Sequence, residues 1–270
     1  GNNSFVMKMI KSLEAQLKEH LSGAYLHGSL ATCEELTYSD FDALVILKDS
    51  VFQDQKKLSL VAKKLNGLQQ IMQEYDPLQH HGWFVLTESM LQNHPSTYFP
   101  AKLFNYSVSL LHTKGLDFDL SYSTKELDFD SPFWRLSNEL SKKLKHNYRP
   151  LNSFSLKSFL SEFMLLPALY LQLKNKEAVY KKDSFDLARK DFSDQEWMIM
   201  DQVSGIRQDW SYEISWIQRT LLTHRNSTIR KLSRKYAPPV SNLIKEKLTN
   251  EFYAAMSSFV LSMQAKVKSL

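Results

Sequence analysis

The stretch HGSLATCEELTYSDFDALVIL sets Gly28-Ser29 ten residues ahead of Asp40-Phe41-Asp42. A glycine lets an anion approach the backbone closely, and the serine after it offers an amide and a hydroxyl to phosphate oxygens. Side chains alternate along a strand, so Asp40 and Asp42 are expected on one face and Phe41 on the other. Two carboxylates placed that way repel unless a cation lies between them. A hard divalent ion such as Mg2+ accepts one or two carboxylates and completes its octahedron with water and substrate phosphates. An acid pair alone is ordinary surface, and a Gly-Ser turn alone is a common loop. Joined at this spacing, they read as a phosphate cradle beside a pair of metal ligands.

Such a pair needs strands to hold it. Asn3-Ser4 caps a predicted helix with apolar residues at Ile10, Leu13, Leu17 and Leu21, which Gly23 would close in a left-handed turn. Ala24–His27 then reads as a strand ending on Gly28-Ser29, and Phe41–Leu47 as a second. Leu58, Val61, Leu65, Leu68 and Met72 share a helical face over about 54–74. Gly82–Thr87 reads as a third strand, about 97–104 as a short helix, and Tyr106–His112 as an alternating strand before a Lys114-Gly115 turn. From about 128 the pattern is helical: 133–146, 155–174, 184–190, 194–208, 212–236 and 240–270, with breaks at Pro150 and Pro238-Pro239. The expected architecture is an α+β (α/β) N-terminal domain with a mixed sheet, residues 1–127, followed by an all-α helical bundle, 128–270.

The strand, Gly-Ser, ten residues and Asp-x-Asp together resemble the signature of the nucleotidyltransferase fold superfamily, the group similar to DNA polymerase beta and the kanamycin and streptomycin adenylyltransferases. That resemblance implies that Gly28 and Ser29 grip a triphosphate and that Asp40 and Asp42 hold Mg2+ or Mn2+. It implies ATP or another nucleoside triphosphate as substrate and a helical domain that closes on it. Adenylyltransferases of the antibiotic branch carry a motif like Ser-Lys-x-x-Ala, whose lysine reaches the triphosphate. The stretch from Ala178 to Ala188 resembles it, with Lys182 at the lysine position and with Lys181 and Phe185 in place of small residues. The activity implied is transfer of a nucleoside monophosphate, AMP from ATP, to an acceptor hydroxyl with release of pyrophosphate.

The pattern departs from that family in one respect: active members bring a third carboxylate, as metal ligand or as general base. The third-strand stretch from Gln79 to Thr87 holds no acid, with Asp76 before it and Glu88 after it. His81 is the other candidate, since a neutral imidazole accepts a proton and also ligates metals. Glu162 and Asp183 are further possible bases. Asp117-Phe118-Asp119 repeats the acid spacing, but it lacks a preceding Gly-Ser and reads as surface.

Composition narrows the partners. Residues 1–130 carry 11 Lys+Arg against 16 Asp+Glu, whereas residues 131–270 carry 23 against 13. The basic half attracts polyanions and disfavours a polycationic acceptor. Its densest run is Arg225, Arg230, Lys231, Arg234 and Lys235. A single cysteine, Cys33, suits a reducing compartment such as the cytoplasm, and no run of about 18 apolar residues predicts a membrane span. The acceptor, whether small molecule, RNA or protein, stays open, as does a homodimer. Two other functions fit the same residues: a catalytically silent nucleotide-binding or regulatory protein, and an RNA- or partner-binding protein using the basic half.

Overall fold

The computed structural model describes residues 4–92, 94, 101–111, 129–177 and 179–270. The Lys114-Gly115 turn, Asp117, Asp119 and Ala178 lie outside the described residues. The protein is mixed α+β, mostly helical, with one four-stranded mixed sheet among the described residues. It divides into two compact units.

The first unit opens with α1 (Ser4–Gln16), β1 (Leu21–His27), the single turn α2 (Gly28–Ala31) and β2 (Asp42–Leu47). It continues with α3 (Gln55–Tyr75), β3 (Phe84–Thr87), α4 (Glu88–Gln92) and the short β4 (Val108–Ser109). The sheet order is β3-β2-β1-β4, with β1 antiparallel to both neighbours and β2 parallel to β3. Parallel pairing requires a crossover, which α3 supplies; Asp54 caps it by accepting from the amides of Lys56 and Lys57. Met9, Leu13 and Leu17 of α1 and its exit join Val61, Leu65, Leu68 and Met72 of α3 in a buried cluster with Ala24, Leu26, Ala43 and Val45 of the sheet.

Several boundaries differ from the sequence expectation; β3 starts at Phe84 rather than Gly82, and β4 covers only Val108–Ser109. The first helix ends at Gln16, and a 3₁₀ turn at Lys18–His20 leads into β1 at Leu21. Gly23 lies inside that strand beside a register shift, its place set by the Tyr25 ring packed where a Cβ would be. Leu21 keeps helical spacing from Leu17 yet is buried from a strand, which the period alone does not distinguish. β2 begins at Asp42, so Asp40 stands in the lead-in.

The second unit comprises α5 (Asp130–Lys145), α6 (Ser153–Phe163), α7 (Leu166–Asn175), α8 (Lys181–Arg189) and α9 (Asp194–Gln208). The chain then enters α10 (Trp216–Leu222) and α11 (Ser227–Ser233), which belong to the first unit. It returns for α12 (Asn242–Lys245) and α13 (Asn250–Lys268). In the second unit α13 packs on α5 and α9, and Phe259 meets the rings of Phe163, Phe192 and Trp197. Capping boxes at Asn152/Ser155 and Ser193/Glu196 start α6 and α9. The stretch Ser153–Asn175 is long and apolar enough to cross a membrane, yet 61% of its apolar window is buried inside the protein, as in a core helix.

Three expected long helices are broken, each by a capping residue or proline. Pro167 starts α7 and ends the continuity of 155–174. Asn226 accepts from the Thr228 and Ile229 amides and starts α11 within 212–236, and Thr249 caps α13 within 240–270. The segment Ile214–Ala237, counted with the helical half from its composition, packs with the first unit. Arg230, buried there, explains the attachment: one guanidinium nitrogen donates to Asn66 (3.2 Å) and Gln69 (3.3 Å) of α3, the other to the carbonyls of His224 (2.8 Å) and Arg225 (2.9 Å).

Candidate functional site

The antiparallel register pairs His27 with Asp42, so the end of β1 and the start of β2 lie side by side. Gly28 follows at φ +70°, a left-handed conformation that an L side chain rarely adopts. A Cβ on Gly28 would sit 2.6 Å from Asp42 Oδ2. Glycine is required here twice over, by its backbone conformation and by the carboxylate lying against it. The Gly-Ser turn and the second acid of the pair therefore meet at one point.

The ten-residue connection is tied at both ends. Ser29 Oγ donates to Ser39 Oγ (2.9 Å), and that oxygen accepts from the Leu36 amide (2.9 Å). The Glu34 amide donates to the Ser29 carbonyl (2.8 Å). Ser39 is buried and immediately precedes Asp40. These bonds draw Ser29 to the acid segment from its other side.

Gln79 fixes the acids themselves. Its buried side chain accepts from the Phe41 amide (2.8 Å) and donates to the Phe41 carbonyl (3.1 Å), taking both backbone groups between Asp40 and Asp42. The same amide nitrogen reaches the His81 carbonyl (3.2 Å). Phe41 is fully buried, its ring edge-on to Tyr75. A side-chain amide thus takes the part of a neighbouring strand just where β2 has not yet begun, and it anchors Gln79-His80-His81 beside the acids.

His80 Nδ1 lies 2.8 Å from Asp40 Oδ2, with the two side chains 10% and 9% exposed. Asp40, His80 and His81 place one ligand atom each within 4.8 Å of one another. The His80 and His81 rings are 3.8 Å apart, and His81 leans toward Phe84. His27 stacks edge-on against Phe84, and burial pushes its pKa down to about 4, so its ring is neutral at neutral pH.

Of the remaining sequence candidates, Glu88 and Asp76 fall elsewhere in the first unit. Glu88 stands at the opposite end of the sheet, where it accepts from the Ser22 hydroxyl and from the Asp49 amide (3.1 Å). Asp76 is buried at the end of α3 and accepts from the Leu78 amide (3.0 Å), shaping the turn that delivers Gln79. Glu162 pairs with Lys143 (2.8 Å) inside the second unit. Lys182 stands in the first turn of α8 in that unit. Sequence reasoning passed over Gln79 and His80. No local signal marks a glutamine or one of two histidines ahead of a strand; their use depends on the parallel pairing of β2 and β3.

No family model and no curated protein matches the chain. Among solved structures it is similar to spectinomycin adenyltransferase AAD(9) from Enterococcus faecialis, solved with ATP and spectinomycin, at 14% identity and a TM-score of 0.46 over 87% of this chain and 99% of that one.

Proposed function

We propose that this protein is a metal-dependent nucleotidyltransferase that moves a nucleoside monophosphate, AMP from ATP, to an acceptor hydroxyl and releases pyrophosphate. The observation that carries this reading is the apposition of Gly28 and Asp42: a backbone open to phosphate lies directly against a carboxylate suited to a cation. The donor type fits Mg2+ or Mn2+, because Asp40 and Asp42 are hard carboxylate ligands that would hold such an ion. When bound, such an ion would neutralise triphosphate charge and polarise the phosphate under attack.

In this reading Gly28 and Ser29 receive the phosphates, with the Ser29 hydroxyl turning from Ser39 to a phosphate oxygen. Gln79 holds the acids in register. Lys182, at the lysine position of the motif-like stretch, would supply a cation for the triphosphate. His81 takes the place of the missing third carboxylate as proton acceptor for the attacking hydroxyl.

A second reading, nucleotide binding without turnover, draws on the placement of Asp76 and Glu88, since both carboxylates expected near the third strand are engaged elsewhere. The basic run offers less to an RNA-binding role, because Arg230 is buried against α3. Radiolabel transfer from α-labelled ATP across small-molecule, RNA and protein acceptors separates the two. Pyrophosphate release lost in Asp42→Asn supports transfer; magnesium-dependent ATP binding with no release on any acceptor leaves the silent reading.

A further inference from the structure

We infer that Asp40, His80 and His81 form a site for a borderline transition ion of the Zn2+ class, distinct in chemistry from a magnesium site of paired carboxylates. The inference shares Asp40 and His81 with the nucleotide reading, and makes His81 a metal ligand in place of a proton acceptor; its geometry stands independent of that reading. Three ligand atoms, two from imidazoles and one from a carboxylate, lie within 4.8 Å of one another, and Asp42 is not among them. Two nitrogens and one oxygen suit Zn2+, Co2+ or Fe2+, whereas Mg2+ takes oxygen. Three protein ligands with a position left open are the pattern of zinc sites that act on a substrate.

The His80 contact points the same way. Its side chain is nine-tenths buried, and Nδ1 has no hydrogen-bond partner although Asp40 Oδ2 is 2.8 Å away. A buried polar nitrogen in contact with a carboxylate, yet off the line of a hydrogen bond, is costly as it stands. Two ligands on a tetrahedral ion with bonds of about 2.0–2.1 Å stand roughly 3.3–3.4 Å apart, so the 2.8 Å pair needs to open by only about 0.5 Å to share one. The cluster is also built to persist: Gln79 joins the Phe41 backbone to the His81 carbonyl, so the segment carrying Asp40 and the segment carrying both imidazoles move as one piece.

The test is a Co2+ titration of the untagged full-length protein, followed by visible absorption, with Zn2+ as competitor and excess Mg2+ present. The expected result is one equivalent of Co2+ with the ligand-field bands of a low-coordinate ion, displaced by Zn2+ and untouched by Mg2+. His81 is exposed, so His81→Ala should fold and should weaken binding by at least roughly 100-fold. Gln79→Asn, which only loosens the ligands, should cost about 10–100-fold. Asp42→Asn should keep the bands. Absence of Co2+ binding, or bands unchanged in both His80→Gln and His81→Ala, overturns the inference. Calorimetry of Mg·ATP on the same samples keeps the two claims apart. ATP binding without Co2+ binding sinks this site alone, and Co2+ binding without ATP binding sinks the nucleotide reading alone.

Discussion

Both ends of the sheet carry acids, and they use them differently. At the far end, Glu88 and Asp49 are fastened to their surroundings: Glu88 accepts from Ser22 and the Asp49 amide, while Asp49 accepts from the Ser89 amide (3.2 Å) and hydroxyl (3.0 Å). At the head of β2, Asp42 lies against a glycine that cannot be anything else, and Asp40 lies against an imidazole it does not hydrogen-bond. The two ends are separated by the length of β2, about 17 Å at the usual rise per residue. Carboxylates that stitch a fold together are supplied with donors by that fold. Carboxylates gathered beside an open glycine backbone and two imidazoles have the chemistry of a cation site.

Gln79→Ala should break this contrast most severely. It strips the Phe41 amide and carbonyl of partners in a buried place, at about 1–3 kcal/mol for each orphaned group. Thermal unfolding should shift down by several degrees or more, and nucleotide binding should fall with it, because the acids lose their register.

Gly28→Ala comes next. The left-handed backbone alone costs about 1–2 kcal/mol for a residue with a Cβ, and the new methyl must push Asp42 aside. Mg·ATP binding should vanish while circular dichroism stays native. Retained binding would mean that the turn and the acid do not serve one ligand.

Glu88→Gln sharpens the comparison from the other end. It weakens two hydrogen bonds at a surface position and should cost about 0.5–1.5 kcal/mol of stability. Mg·ATP affinity should be unchanged within error. A large loss of binding would bring Glu88 back as a ligand and undo the assignment of the two ends.

What the sequence disclosed follows from which signals are local. The apposition of Gly28 and Asp42 was legible because a glycine turn at the end of one strand and an acid at the start of the next are local signals; strand alternation did not place Asp40, which stands ahead of β2. The helices of the second unit were legible in type from their apolar spacing. Their breaks were misjudged, because Asn226, Thr249 and Pro167 act at single positions inside otherwise periodic stretches. Gln79 and His80 were not legible, because their roles arise only when β3 lies parallel to β2 and brings the residues ahead of it beside Asp40. The attachment of Ile214–Ala237 was hidden for a similar reason: a basic run reads as a solvated face until one arginine is found buried against Asn66 and Gln69.

The most direct measurement is calorimetric titration of ATP into the wild type and Asp42→Asn, each with Mg2+ and with chelator, on samples matched by circular dichroism. The account predicts binding that requires Mg2+ and is abolished in Asp42→Asn while the fold is retained. Equal ATP binding by both proteins, or binding indifferent to Mg2+, would contradict it.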